Sequence, residues 1–349
     1  MKARHVGAAA LVAVAGAALV APSAAQTAEA IRYETFTLDN GLQFIVHEDH
    51  SVPVVHVEVW YDVGSAHEPP GRSGFAHLFE HMMFIQTENL ERGRFDALIT
   101  GSGGTLNGTT NKDRTAYYQT VPSNQLNVVL WLEADRMKNL VVNEENFQRE
   151  REVVKEERRL RVDNQPYGHA IWEVMDTLPV DYEPYEHSVI GSMADLDAAT
   201  GDDARQFYEE FYVPNNAAVV VAGDATVDQV RTLAERFFGH MRRGPEVPPL
   251  PPVTGVPRTD GPREVSLTDA KATLPLIDDL GAGEEHTRRG VDGQVGTPRP
   301  RRVPDARVEG DLFVVGVFAD QRPEHRRTHL PGECAALFPM NVLRVEDDI

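Results

Sequence analysis

The sequence predicts an α+β fold, a layered antiparallel sheet with helices packed against it, and three observations carry that expectation. Short runs with period-two apolar alternation, each closed by Gly, Asn or Asp, recur from Tyr33 onward. Runs with helical apolar spacing lie between them. The composition, 41% hydrophobic and 25% charged in 349 residues, is that of a globular chain long enough for two domains of ordinary size.

At the amino end Lys2, Arg4 and His5 precede an apolar run from Val6 to Ala21 and the small residues Pro22 to Ala25. This is the pattern of a secretory signal cleaved after Ala25. The run is shorter than the ~20 apolar residues a spanning helix needs, so no stable membrane anchor is expected and the protein is expected in the periplasm or secreted. Tyr33–Leu38 and Leu42–Val46 flank Asp39-Asn40-Gly41 and read as a hairpin. Val52 to Val63 reads as a longer strand with Val55, Val57, Val59 and Tyr61 on one face. Ser73 caps a helix running to about Phe84.

Gly101 onward reads as a loop, followed by a strand over Thr115–Val121. Ser123 caps a helix whose Leu126, Val129, Leu130 and Met137 keep helical spacing, and a highly charged helix spans about Glu144 to Val162. Ala217–Ala222 is a buried strand closed by Gly223-Asp224, and Val227–Phe238 is amphipathic. Gly244 to Pro257 is Pro-rich and suits a linker, and Val265 to Ile277 reads as the opening strand of a second domain. From about Asp278 Arg, Pro and Gly dominate and periodicity fails, as in out-of-frame translation of a GC-rich gene, save for the apolar run Leu312–Phe318. The expected organisation is a signal over 1–25, a main domain over 33–243, a linker over 244–264, and an incomplete second domain or aberrant tail over 265–349.

Charge and cysteine content narrow the chemistry. With 54 acidic against 34 basic residues and a formal charge of −20, the chain lacks the basic surface that neutralises phosphates, so nucleic acid is not an expected partner. Cys334 is the single cysteine, which excludes an internal disulfide and any cysteine-based metal cluster. A transition metal would have to be held by His and carboxylate.

His77 and His81 are four residues apart in a helical pattern, so both imidazoles project from one face and can bind one metal ion. Glu80 lies beside that ion without being needed as a ligand, free to act on a bound water. The string His77-Leu78-Phe79-Glu80-His81 is the inverted zinc-peptidase signature, H-x-x-E-H. It sits among Phe75, Leu78, Phe79, Met82, Met83 and Phe84, and histidines on so buried a helix need a partner. A catalytic zinc usually takes three protein ligands and a water. The charged helix offers Glu150 and Glu157, stacked two turns apart on one face with Phe147 and Val154. One can ligate and the other orient the site, and spacing alone does not choose between them.

The segment Gly74–Phe84 resembles the pitrilysin and insulinase family of zinc peptidases, which includes the mitochondrial processing peptidases. The resemblance also takes in Gly103–Thr110, Leu132–Met137 and Phe211–Asn216, and covers roughly Tyr33 to Val247. It implies a zinc metalloendopeptidase with one zinc ion per chain, Glu157 as the third ligand, Glu150 as an accessory glutamate and Glu80 as general base. It further implies a peptide substrate extended along a sheet edge with Asn107 near its backbone, although an Asn in a Gly-Thr loop is equally a turn residue. Family members carry a second related domain that closes the chamber and supplies an Arg and a Tyr near the reacting carbonyl, and after Ile277 neither that pair nor the alternation of strand and helix that would carry it is recognisable. The resemblance therefore leaves room for a second family-like subunit or a homodimer. The alternative function is a catalytically impaired subunit that completes the chamber of a partner peptidase.

Overall fold

The computed structural model describes residues 31–177, 182–252, 263–273, 276–279 and 313–319. The signal expected over 1–25 lies outside the described residues. β1 (Glu34–Thr37) and β2 (Gln43–Glu48) form the expected hairpin, turning at Gly41 with φ of 96° and with Leu42 N donating to Asn40 Oδ1 at 3.1 Å. β3 (Val54–Tyr61) buries Val55, Val57, Val59 and Tyr61, the face its alternation marks.

The segment read as a loop after Gly101 contains a strand, β4 (Thr105–Thr110), which pairs antiparallel with β5 (Thr115–Pro122). Its sequence, with Leu106 as its one large apolar residue, hides it because an edge strand need bury little. With β6 (Ala217–Gly223) the sheet has the order β1-β2-β6-β3-β5-β4. β6 inserts between β2 and β3 and runs antiparallel to β3, which makes it parallel to the oppositely directed β2. The sheet is therefore mixed rather than wholly antiparallel.

The helices are α1 (Phe75–Met82), α2 (Arg94–Gly101), α3 (Leu126–Asn139), α4 (Glu144–Arg158), the single turn α5 (Met175–Thr177), α6 (Met193–Ala198), α7 (Gly201–Phe211) and α8 (Val227–Phe237). Apart from α5, their apolar sides join the Val55, Val57, Val59 and Tyr117 face of the sheet in one core, while Met175 of α5 packs in a smaller cluster around Ala170. Inside it Arg136 pairs with Glu133, neither side chain exposed, and stacks over Tyr117 at 4.4 Å and Phe95 at 4.7 Å. Regular α-helix in α4 ends at Arg158, short of the expected Val162, and passes into a π-helical turn over Arg159–Asp163.

Two expected caps are absent. Gly74 in the left-handed region precedes α1, while the Ser73 hydroxyl bonds to Asp195. Ser123 begins a 3₁₀ turn, and its hydroxyl donates to Asp224 Oδ2 at 2.7 Å. In both cases a carboxylate delivered by a distant segment takes the hydroxyl that local pattern assigns to the helix.

Residues 244–252 form neither helix nor strand and are tied down by Gly244 N to Asn215 Oδ1 at 2.7 Å and Tyr182 OH to Pro251 O at 2.6 Å. The single strand expected over Val265–Ile277 is two, β7 (Arg263–Asp269) and β8 (Leu276–Asp279). Asp269 Oδ1 accepts from Lys271 N at 2.8 Å, an Asx turn that interrupts the run. The apolar run near Leu312 becomes β9 (Phe313–Ala319), which lies between β7 and β8. Among the described residues no helix is long and apolar enough to cross a membrane.

Candidate metal centre

Helical phase sends Phe75, Leu78, Phe79 and Met82 of α1 into the core and leaves His77, Glu80 and His81 on the other side. The helix is held at its start by Glu68, whose side chain is buried. Glu68 Oε2 accepts from Gly74 N at 2.9 Å and Oε1 accepts from Ala76 N at 2.8 Å, satisfying two of the donors a helix N-terminus leaves over. Burial pushes the Glu68 carboxyl well above its ordinary range, against the pull of those two amides and Lys112. Gly74 has φ of 94°, and a Cβ there would meet Ile190 O at 2.9 Å, so both conformation and space call for glycine.

α4 packs on α1 and brings Glu157 of its last turn to the two imidazoles. His77 Nε2 and His81 Nε2 are 3.3 Å apart, and Glu157 Oε2 lies 3.5 Å from the first and 3.2 Å from the second. A tetrahedral ion with bonds of ~2.0–2.1 Å separates its ligand atoms by ~3.3–3.4 Å, so the three atoms stand at the edge lengths of a zinc site. Among the described residues no well-formed hydrogen bond reaches Glu157 Oε2, which is buried, so the atom facing the imidazoles is otherwise an orphaned acceptor. Glu157 Oε1 is taken by Arg161 Nε at 3.1 Å. These residues fit a zinc ion, and among the described residues they are the one cluster of His, Cys, Asp and Glu able to hold a metal.

The electrostatics agree with that fit. Burial, reinforced by His81, holds the His77 imidazole down at about 4, so it is neutral with a lone pair to give. Burial lowers His81 too, but the adjacent Glu157 more than offsets it and the net shift is upward, while the same His81 contact lowers Glu157. Burial raises the Glu80 carboxyl, tempered by the Thr110 hydroxyl, which donates to Glu80 Oε2 at 2.5 Å.

His77, Glu80, His81, Asn107, Glu157 and Trp172 line one cleft of about 640 Å³. Asn107 reaches it from the edge strand β4, with its Oδ1 accepting from Gly108 N at 2.9 Å. Strand alternation places Gly108 and Thr110, not Asn107, against Glu80. Glu150, two turns before Glu157, accepts from Arg92 Nη1 at 3.0 Å and ties α4 to the chain before α2. It forms no hydrogen bond to the two histidines or Glu157 among the described residues, and its charge acts on His81 through space. Sequence reading missed Glu68, Thr110 and Arg161. Arg161 stands four residues past Glu157, a readable helix pair, whereas Glu68 and Thr110 meet α1 only through the fold.

The family profile described as Insulinase (Peptidase family M16) matches residues 43–175, and that of the Peptidase M16 inactive domain matches residues 198–275. The zinc protease PqqE of Helicobacter pylori is 37% identical over 233 residues, which is 66% of this chain and 52% of that protein. A probable mitochondrial-processing peptidase subunit beta of Arabidopsis thaliana is 27% identical over 212 residues, 60% of this chain and 39% of its own length. The crystal structure of a protease from Helicobacter pylori superimposes with a TM-score of 0.65 at 34% identity, covering 71% of this chain and 60% of that one. The periplasmic protease PqqL of Escherichia coli, at 21% identity and a TM-score of 0.62 over 73% of this chain and 29% of its own, shares the fold. The chain spans about half the length of the curated relatives it matches. With both domain profiles falling in one family, and the first of them spanning α1 and Glu157, the chain belongs to the insulinase family, peptidase family M16.

Proposed function

We propose that this chain is the metal-holding part of a zinc metalloendopeptidase that hydrolyses peptides or unfolded polypeptide segments. His77, His81 and Glu157 hold one zinc ion per chain and Glu80 is the general base. The observation that carries the reading is the convergence of His77 Nε2, His81 Nε2 and Glu157 Oε2 at 3.2–3.5 Å from one another, beside Glu80 in one cleft. Relatives named zinc proteases support it.

When bound, zinc would polarise the scissile carbonyl and lower the pKa of its water toward ~7. Glu80 accepts the proton of the attacking water on its carboxylate and delivers it to the leaving amine, a role its burial suits by raising its proton affinity. Arg161 holds one oxygen of Glu157 and so leaves the other turned to the histidines. Among the described residues β4 is the edge strand of the sheet, and a substrate strand added there passes Asn107 in the cleft. Glu150 braces α4 through Arg92.

The layout that goes with this reading is a peptidase domain over 33–243, a linker over 244–264 and a second unit from 265, in an exported, periplasmic or secreted protein. A second family-like subunit or a second copy of the chain closes the chamber. A subunit that only completes a partner's chamber has no use for Glu80 beside three converging donor atoms, so the catalytic reading is the one adopted. Glu80→Gln tests it: zinc content stays near one per chain while peptide cleavage falls ~10²–10⁴-fold. Full cleavage with zinc retained overturns the base assignment, and an unmodified chain that binds no zinc overturns the metal centre.

A further inference from the structure

We propose that Thr110 is a positioning residue for Glu80, setting the carboxylate through its hydroxyl so that one oxygen stays available for proton transfer. The inference rests on the peptidase reading above. Thr110 Oγ1 donates to Glu80 Oε2 at 2.5 Å, and this is the hydrogen bond that Glu80 receives among the described residues. Glu80 lines an open cleft, and a glutamate without such a tether would spread over several staggered rotamers.

The strand is shaped around the carboxylate. Gly108 and Thr110 alternate onto the side of β4 that faces α1. A Cβ at Gly108 would lie 2.9 Å from Glu80 Cγ and 3.2 Å from Glu80 Oε1. The missing side chain at 108 makes a slot, and the hydroxyl at 110 closes its end. Thr110 is itself fixed by pairing with Thr115, whose Oγ1 donates to Val63 O at 2.8 Å. A neutral hydroxyl also suits the task chemically. It gives Glu80 one hydrogen bond and spares the second oxygen, where a Lys or Arg would bind the carboxylate as an ion pair and compete with the proton it must accept. Because β4 is the sheet edge, the strand that would pair with a peptide is the strand that aims the base.

The test uses the full zinc-loaded chain, with a chamber-closing partner if cleavage needs one, and compares Thr110→Val, Thr110→Ser and both combined with Glu80→Gln. Thr110→Val keeps shape and β-propensity but loses the donor. Its zinc content and KM are expected unchanged while kcat falls about 10- to 100-fold, the weight of one hydrogen bond to a charged group. Thr110→Ser recovers most of the rate, and Thr110→Val adds nothing in the Glu80→Gln background. A crystal structure of zinc-loaded Thr110→Val should show the Glu80 carboxylate out of its slot, and that of Thr110→Ser should show it returned; this readout stands without activity. If Thr110→Val does not fold, Thr110→Ala is read in the same way. Thr110→Val with kcat within about twofold of the unmodified chain and Glu80 in place overturns the inference, while an inactive Glu80→Gln beside it leaves the peptidase reading standing. Glu80→Gln at full rate overturns the base assignment and this inference with it, while the metal-dependent cleavage itself stands.

Discussion

Glu68→Ala removes both acceptors that hold the first turn of α1. The carboxylate takes Gly74 N at 2.9 Å and Ala76 N at 2.8 Å, and both residues are buried, so truncation strands two amide donors. Each stranded donor costs ~1–3 kcal/mol, partly relieved where water follows into the space, so a net loss of about 2–4 kcal/mol is expected. At ~2–4 °C per kcal/mol for a domain of this size, Tm should fall roughly 4–16 °C. Glu68→Gln keeps one carbonyl oxygen but turns an NH₂ toward the other donor, so about half the loss is expected. His77 follows Ala76 directly, so loosening this turn should also weaken zinc binding, by about tenfold for the alanine variant. Calorimetry measures the first effect and competition with a chromogenic chelator the second. A Glu68→Ala chain that melts within about a degree of the unmodified protein and binds zinc equally well would refute the claim that Glu68 holds the metal-bearing helix.

Three further outcomes follow from the same geometry. His77→Ala and His81→Ala should each abolish stoichiometric zinc binding, measured by metal analysis after dialysis, because two remaining donors do not make a preorganised site. Glu157→Gln should lose zinc far more readily than Glu150→Gln, whose cost of about 10- to 100-fold in affinity comes from freeing Arg92 rather than from a lost ligand bond; equal losses by calorimetric titration would contradict that order. In the core, Arg136→Met leaves Glu133 buried without its partner and should cost ~3–5 kcal/mol in urea unfolding. The double variant with Glu133→Leu should recover much of it.

Features that depend on local backbone geometry are legible in the order of residues. Four-residue spacing on a helix puts His77 and His81 on one face whatever surrounds them, with Glu80 beside them. Period-two alternation places Val55, Val57, Val59 and Tyr61 inward in any pleated strand. Tertiary structure alone decided which groups from distant segments meet. Spacing left Glu150 and Glu157 equivalent, and the packing of α4 on α1 carries Glu157 to the imidazoles while Arg92 takes Glu150. Ser73 and Ser123 are of the residue type, and just before the helical run, that a cap calls for, yet Asp195 and Asp224 arrive from more than a hundred residues away and bind their hydroxyls. β4 looks like a loop because its value lies in its free edge and in the slot it forms for Glu80, neither of which requires apolar alternation. Periodicity is a property of the chain's own dihedrals, whereas the partner of a carboxylate or hydroxyl is set by whichever donor or acceptor the packed core brings within 3 Å or so.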